Sequence, residues 1–239
     1  MAFADSMKKA TAGLYGEVRV TLALDRDATR DNLHRLVDKV AMEVHPRDTF
    51  ILFAAAHGAA ENAWFYLIPQ DYQSGPGHLA RYAIGQDDLQ DWLANRIKAR
   101  KAIVLLDTCE SGALIAGHRR SRIDSVASEA GVGRLHEATG RPVLTATASG
   151  QAAGEGVIAG SREGHGFFTW AVLDALRHSD TNGNGLIELS ELAAHVQTVV
   201  PKVAAGIVVR AASAVPATDK QTARFGSRGE DFAVAHRLQ

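Results

Sequence analysis

Two runs of apolar residues constrain this chain most. DTFILFAAAHG occupies positions 48–58 and KAIVLLDTCESG positions 101–112. Runs of this kind, without the alternation of a half-buried strand, suit strands covered on both faces of a parallel sheet. RPVLTATAS (141–149) is a third candidate of the same type. Helical patterns fall between and around them. Leu33, Leu36, Val37, Val40, Ala41 and Val44 recur at i, i+3, i+4 and i+7, and Leu89, Trp92, Leu93 and Ile97 form a second such face. FFTWAVLDALRHS (167–179) and ELAAHVQTVV (191–200) read as further helices, with another near 125–138. GEVRVTLAL (16–24) alternates and reads as a strand, AWFYLIP (63–69) as a short outer strand or hairpin, and DFAVAH (231–236) as a last strand. Strands alternating with helices imply an α/β domain with a mostly parallel sheet and helices on both faces.

The chain has 239 residues, 46% of them hydrophobic, which is enough to bury a proper core. No linker interrupts it, so residues 1–239 are expected to form a single domain. A net charge of -1 carries no basic excess, so no nucleic-acid partner is expected. The apolar runs are too short to cross a bilayer, and no secretory segment is visible, so the expected location is cytoplasmic with no membrane partner. One cysteine excludes an internal disulfide framework.

That cysteine, Cys109, and a histidine, His57, stand at the ends of the two runs. In parallel sheets, sites form at the carboxyl ends of strands. A thiol attacks carbonyls as thiolate, and a neighbouring imidazole can take its proton and return it to a leaving amine. Gly58 lets the backbone approach a substrate, and its N–H with that of Cys109 can form an oxyanion hole. Asp107 lies two residues before Cys109, on the same side of an extended strand, where a carboxylate favours a cationic substrate side chain. The plainer reading of a lone cysteine is a small buried hydrophobe. The pairing of His-Gly with Asp-x-Cys-x-Ser-Gly, the histidine about 50 residues upstream as in caspases, argues for catalysis. A second His-Gly, at His165 and Gly166, reads as a loop at a helix start.

DTFILFAAAHG, YLIPQDY, DDLQDWL, AIVLLDTCESG, VLTATASGQAAGEG, GHGFFTWAVLDAL and EDFAVAH together resemble the caspase-like clan of cysteine peptidases, closest to the bacterial metacaspase-like orthocaspases. The resemblance implies a caspase-like three-layer sandwich and a His57–Cys109 dyad hydrolysing peptide bonds. Gly58 and Cys109 would be the oxyanion donors. Asp107 would bind Arg or Lys before the cut, and Ala148 and Ser149 would line the substrate groove. No cofactor is required for that chemistry. The expected partners are proteins or peptides with Arg or Lys before the cut, and a fused or associated sensor domain. The chain departs from the family in Ala56, where a glycine is usual, and in Glu110, where histidine is common. It also lacks the family's first strand, which implies a fragment, a strand supplied by a partner, or a reduced sheet. These departures support an alternative: a catalytically weak or inactive scaffold that binds or regulates. The basic stretch HRRSR (118–122) is either a self-cleavage site or a solvated loop.

DTNGNGLIELSE (180–191) fits a calcium-loop template. Asp180, Asn182 and Asn184 take positions one, three and five, and Gly185 takes the turn at six. Leu186 offers a carbonyl at seven, Glu188 acts at nine, and Glu191 is the bidentate ligand at twelve. A turn that keeps the same Asx chemistry without metal is the competing reading. Asp87 and Asp88 read as acids at a helix N-terminus.

Overall fold

The computed structural model describes residues 2–61, 64–110, 135–146, 155–156, 165–206, 221–226 and 230–239. The expected helix near 125–138 and the basic stretch 118–122 fall largely or wholly outside them.

The first long apolar run forms β1 (Thr49–Glu61). The chain then folds back as β2 (Trp64–Ile68), antiparallel to the end of β1, with β3 (Ile84–Gly85) antiparallel to β2. The second run is β4 (Lys101–Glu110), parallel to β1, and β5 (Val143–Thr145) is parallel to β4. β9 (Arg224–Gly226) closes the far margin antiparallel to β5. The order is β3-β2-β1-β4-β5-β9, so the apolar runs form the parallel centre and antiparallel strands are added at both margins. Two small ribbons stand apart: β6 (Glu155–Gly156) with β7 (His165–Gly166), and β8 (Leu186–Glu188) with β10 (Ala233–His236).

Helices cover both faces of the sheet, giving a three-layer α/β sandwich. β4 is the axis: Ala102 to Leu106 are each at most 1% exposed. Ile103 and Leu105 share a cluster with Met7 and Ala10 of α1 (Ala2–Thr11), Phe168, Val172 and Leu176 of α5 (Phe167–His178), and Leu192 and Val196 of α6 (Leu189–Gly206). Val104 and Leu106 pack instead with Leu89, Trp92 and Leu93. This alternation follows from the strand's period of two, and each fully buried leucine contributes about 2 kcal/mol. Leu89 ends on α4 (Gln86–Gln90), whose course continues as a wider π-turn over Asp91–Arg96. A short α3 (His78–Tyr82) precedes β3.

One expectation needs correction. Residues 17–24 form no strand, and Val20, Leu22 and Leu24 are 42%, 46% and 43% exposed. Alternation suits a pleated surface, but a strand exists only where a ladder partner is in reach. The periodic helix is present as α2 (Arg30–Glu43), but none of its residues is buried; Leu33 and Val37 pack only partly against the sheet.

Candidate active site

Parallel pairing of β1 with β4 sets the site. The register makes His57 the ladder partner of Cys109, Ala55 that of Asp107, and Gly58 that of Glu110. Neighbouring strands lie about 4.8 Å apart, so the backbones of residues 57 and 109 are adjacent at the carboxyl end of the parallel centre. His57 is exposed, whereas Gly58 and Ala59 are buried where β2 folds over them. Neither strand stops at its reactive residue. β1 continues to Glu61 and β4 to Glu110, so Gly58 and Cys109 both lie within paired register. Ala148 and Ser149 lie outside the described residues.

Asp107 has a partner that the sequence reading missed. Its Oδ2 accepts a hydrogen bond from the Thr169 N–H at 3.2 Å and another from the Thr169 hydroxyl. Thr169 sits in the first turn of α5, whose N-cap, Gly166, has no side chain to offer. The carboxylate from β4 therefore caps the helix from outside, where the macrodipole favours negative charge. A Cβ at position 166 would come within 3.1 Å of the Asp107 carboxyl carbon, so glycine is what allows the approach. The legible signal was Gly-Phe-Phe-Thr, a helix opening on a residue that cannot cap itself. His165, expected in a loop at a helix start, instead pairs through its backbone with Gly156 in β6.

The loop 180–191 is tightly organised. Asp180, 1% exposed at its side chain, accepts from the N–H groups of Gly183 at 2.7 Å and Gly185 at 3.1 Å, and Arg237 lies 3.5 Å from its Oδ2. Asn182 and Asn184 accept from the N–H groups of Asn184 and Leu186 at 2.9 and 2.8 Å. Their amides donate to Glu188 at 3.3 and 2.8 Å. Gly183 and Gly185 have φ of 76° and 81°, the left-handed region that glycine enters without strain. Glu191 reaches back: one oxygen accepts from Thr181 N–H at 2.8 Å, the Thr181 hydroxyl at 2.7 Å and Asn182 N–H at 3.3 Å, and the other accepts from Glu188 N–H at 3.1 Å. Burial pushes the Glu191 carboxyl up, but hydrogen bonds with Glu188 and Thr181 outweigh it and leave the pKa at about 2. The terminal strand laces the loop shut, Arg237 N–H donating to Gly185 O at 2.9 Å. Among the described residues, no three His, Cys, Asp or Glu side chains gather as a metal-binding group. Asp88 accepts from Gly85 N–H at 2.9 Å, as expected of an acid at the start of α4.

No family model and no curated protein matches the chain. Among solved structures it is similar to protein GSU0716 of Geobacter sulfurreducens, with a TM-score of 0.50 and 17% identity over 95% of this chain and 84% of that one. This likeness carries the fold alone. No described helix is long and apolar enough to cross a membrane.

Proposed function

We propose that the chain is a cysteine endopeptidase that cuts peptide bonds after Arg or Lys. The observation that carries this reading is the register that makes His57 and Cys109 ladder partners at the carboxyl end of adjacent parallel strands. The motif resemblance to caspase-like peptidases supports it. In this reading His57 takes the thiol proton and the thiolate attacks the scissile carbonyl carbon. Negative charge then develops on the carbonyl oxygen, opposite the amides of Gly58 and Cys109. His57 returns the proton to the departing amine, and water hydrolyses the thioester to free acid and thiol. Because both amides lie within paired register, the mechanism requires the Gly58–Glu110 end of the ladder to open for substrate. The substrates are proteins or peptides; cytoplasmic location and an associated sensor domain belong to the same proposal.

Asp107 supplies negative charge next to the dyad, the basis for the Arg or Lys preference. Peptides with a fluorogenic group after Arg, Lys or Asp test it. Turnover of the Arg and Lys peptides alone, lost in Cys109→Ala, is the expected result. Faster turnover of the Asp peptide would remove the assigned role of Asp107.

One observation favours a second reading, a non-catalytic scaffold. Thr169 holds the Asp107 carboxylate at the mouth of α5, which is a structural task sufficient in itself. No turnover of any peptide by a folded chain would select this reading.

The loop 180–191 is proposed as a structural calcium loop. Asp180, Asn182, Asn184, Glu188 and Glu191 supply oxygens, with the Leu186 carbonyl, and Gly185 supplies the left-handed turn. The hydrogen bonds that now engage Glu191 would have to be exchanged for the cation. Calorimetry tests this; no heat of binding at millimolar calcium would leave the loop as a metal-free turn.

A further inference from the structure

Asp107 and Thr169 meet across the packed face of β4. Ile103 and Leu105 share the cluster that holds Phe168 and Val172 of α5, and alternation along β4 puts Asp107 next in that row. Phe167 and Phe168 are 1% and 0% exposed, so the first turn of α5 is anchored in the core. Thr169 follows them and is itself buried. Core packing on both sides therefore fixes where the carboxylate and the threonine sit.

Their contact uses one carboxylate oxygen twice. The Thr169 N–H donates to Oδ2 at 3.2 Å, and the Thr169 hydroxyl donates to the same atom. A carboxylate oxygen offers about two lone pairs, and these two donors take them. Gly166 crowds the same atom: a Cβ there would lie 3.1 Å from Oδ1 and nearer still to Oδ2. Arginine and lysine ask different things of a carboxylate. A guanidinium gains its advantage by donating two parallel N–H bonds, one to each oxygen, whereas an ammonium is a point charge that needs only one. With Oδ2 committed to α5, a cation arriving at Asp107 is met by Oδ1, and the guanidinium fork has no second oxygen to use.

We propose that Thr169 is a positioning residue that sets specificity through Asp107: it withholds Oδ2 from the substrate, so the site reads positive charge and accepts Lys as readily as Arg. This rests on the peptidase reading, in which Asp107 meets the substrate cation, and adds to it the residue that decides between the two cations. An unencumbered carboxylate favours the bidentate partner, so equal treatment of Arg and Lys needs a cause, and the Thr169 hydroxyl supplies it. Thr169→Ala deletes that donor and clears the space it filled. The Thr169 N–H is kept, and Oδ2 regains one lone pair for the second N–H of a guanidinium. Thr169→Ser keeps the hydroxyl and should behave as the wild type does.

Two readouts test it. The first is kcat/KM for fluorogenic peptides with Arg or Lys before the cut. The second needs no catalysis: NMR titration of the folded Cys109→Ala chain with acetyl-arginine amide and acetyl-lysine amide. With Thr169 in place, the Arg-to-Lys ratio is expected to stay within about 5-fold of one in each. Thr169→Ala should raise the ratio about 10-fold in both, and Thr169→Ser should hold it at the wild-type value. A merely structural role would lower both cations together and leave the ratio in place. Absence of turnover beside the expected binding ratios would remove the peptidase reading and leave the role of Thr169 standing. The proposal is overturned by an Arg preference above about 5-fold with Thr169 in place, a result that needs no Thr169 variant to fold. It is equally overturned by an unchanged ratio in folded Thr169→Ala, or by failure of both amides to bind at millimolar concentration.

Discussion

Asp107 shows how one carboxylate can serve two purposes. It is the acid expected to favour Arg or Lys, and it caps α5 through Thr169. Asp107→Asn weakens that cap, and unfolding in urea should register a loss of about 1–2 kcal/mol. Gly166→Ala pushes a methyl group against the same carboxylate and should cost about 1–3 kcal/mol. An unchanged midpoint in both variants would remove the capping role. Glu191 makes a pH prediction. Its folded pKa of about 2 lies below the ordinary value of 4.5, so its contribution is full above about 4.5 and is lost as pH falls toward 2. Urea midpoints between pH 2 and pH 6 should drop on the acid side in the wild type, and by less in Glu191→Gln. The sequence showed Asp107 and Glu191 as residues with a role, because each sits in a motif. It could not show Thr169 as a partner, because 62 positions separate it from Asp107 and only the fold brings them together.

At the level of elements, periodicity located the helices and the apolar runs located the central strands; in β4 and α5 the pattern records burial, whereas α2 and residues 49–57 of β1 carry the same patterns with none of those residues buried. Neither finds an element that carries no pattern. β9 has three residues and no pattern; it pairs because β5 offers an edge. The π-turn at Asp91–Arg96 keeps the apolar face of a helix, so sequence cannot distinguish the two, and Arg141 secures it from outside. The guanidinium donates to the carbonyls of Leu93 at 3.1 Å, Ile97 at 3.0 Å and Ala99 at 2.6 Å, satisfying the groups that a helix end leaves open. Arg141→Met keeps the apolar stem and removes the donors. A loss of about 2–4 kcal/mol is expected by thermal or urea unfolding; a change below about 0.5 kcal/mol, typical of an exposed site, would contradict this role. The alternating segment 16–24 is the reverse case, a strand pattern that finds no ladder partner among the described residues.

For the whole molecule, the two apolar runs that constrained the fold also position the candidate site. They lie side by side and parallel, and this brings together a histidine and a cysteine far apart in the chain. The three-layer sandwich was legible because strands alternate with helices; the antiparallel margins were not, because short edge strands carry little pattern. The groove residues expected at Ala148 and Ser149 fall outside the described residues. The proposed activity requires Cys109 to act as a nucleophile activated by His57 toward a substrate ending in Arg. The direct measurement is mass spectrometry of the chain after exposure to an alkylating peptide that ends in Arg, beside His57→Ala and a matched peptide ending in Asp. One adduct on Cys109 is expected with the Arg peptide, forming much more slowly in His57→Ala and with the Asp peptide. An unmodified Cys109 in folded chain, or equal labelling in all three cases, would contradict it.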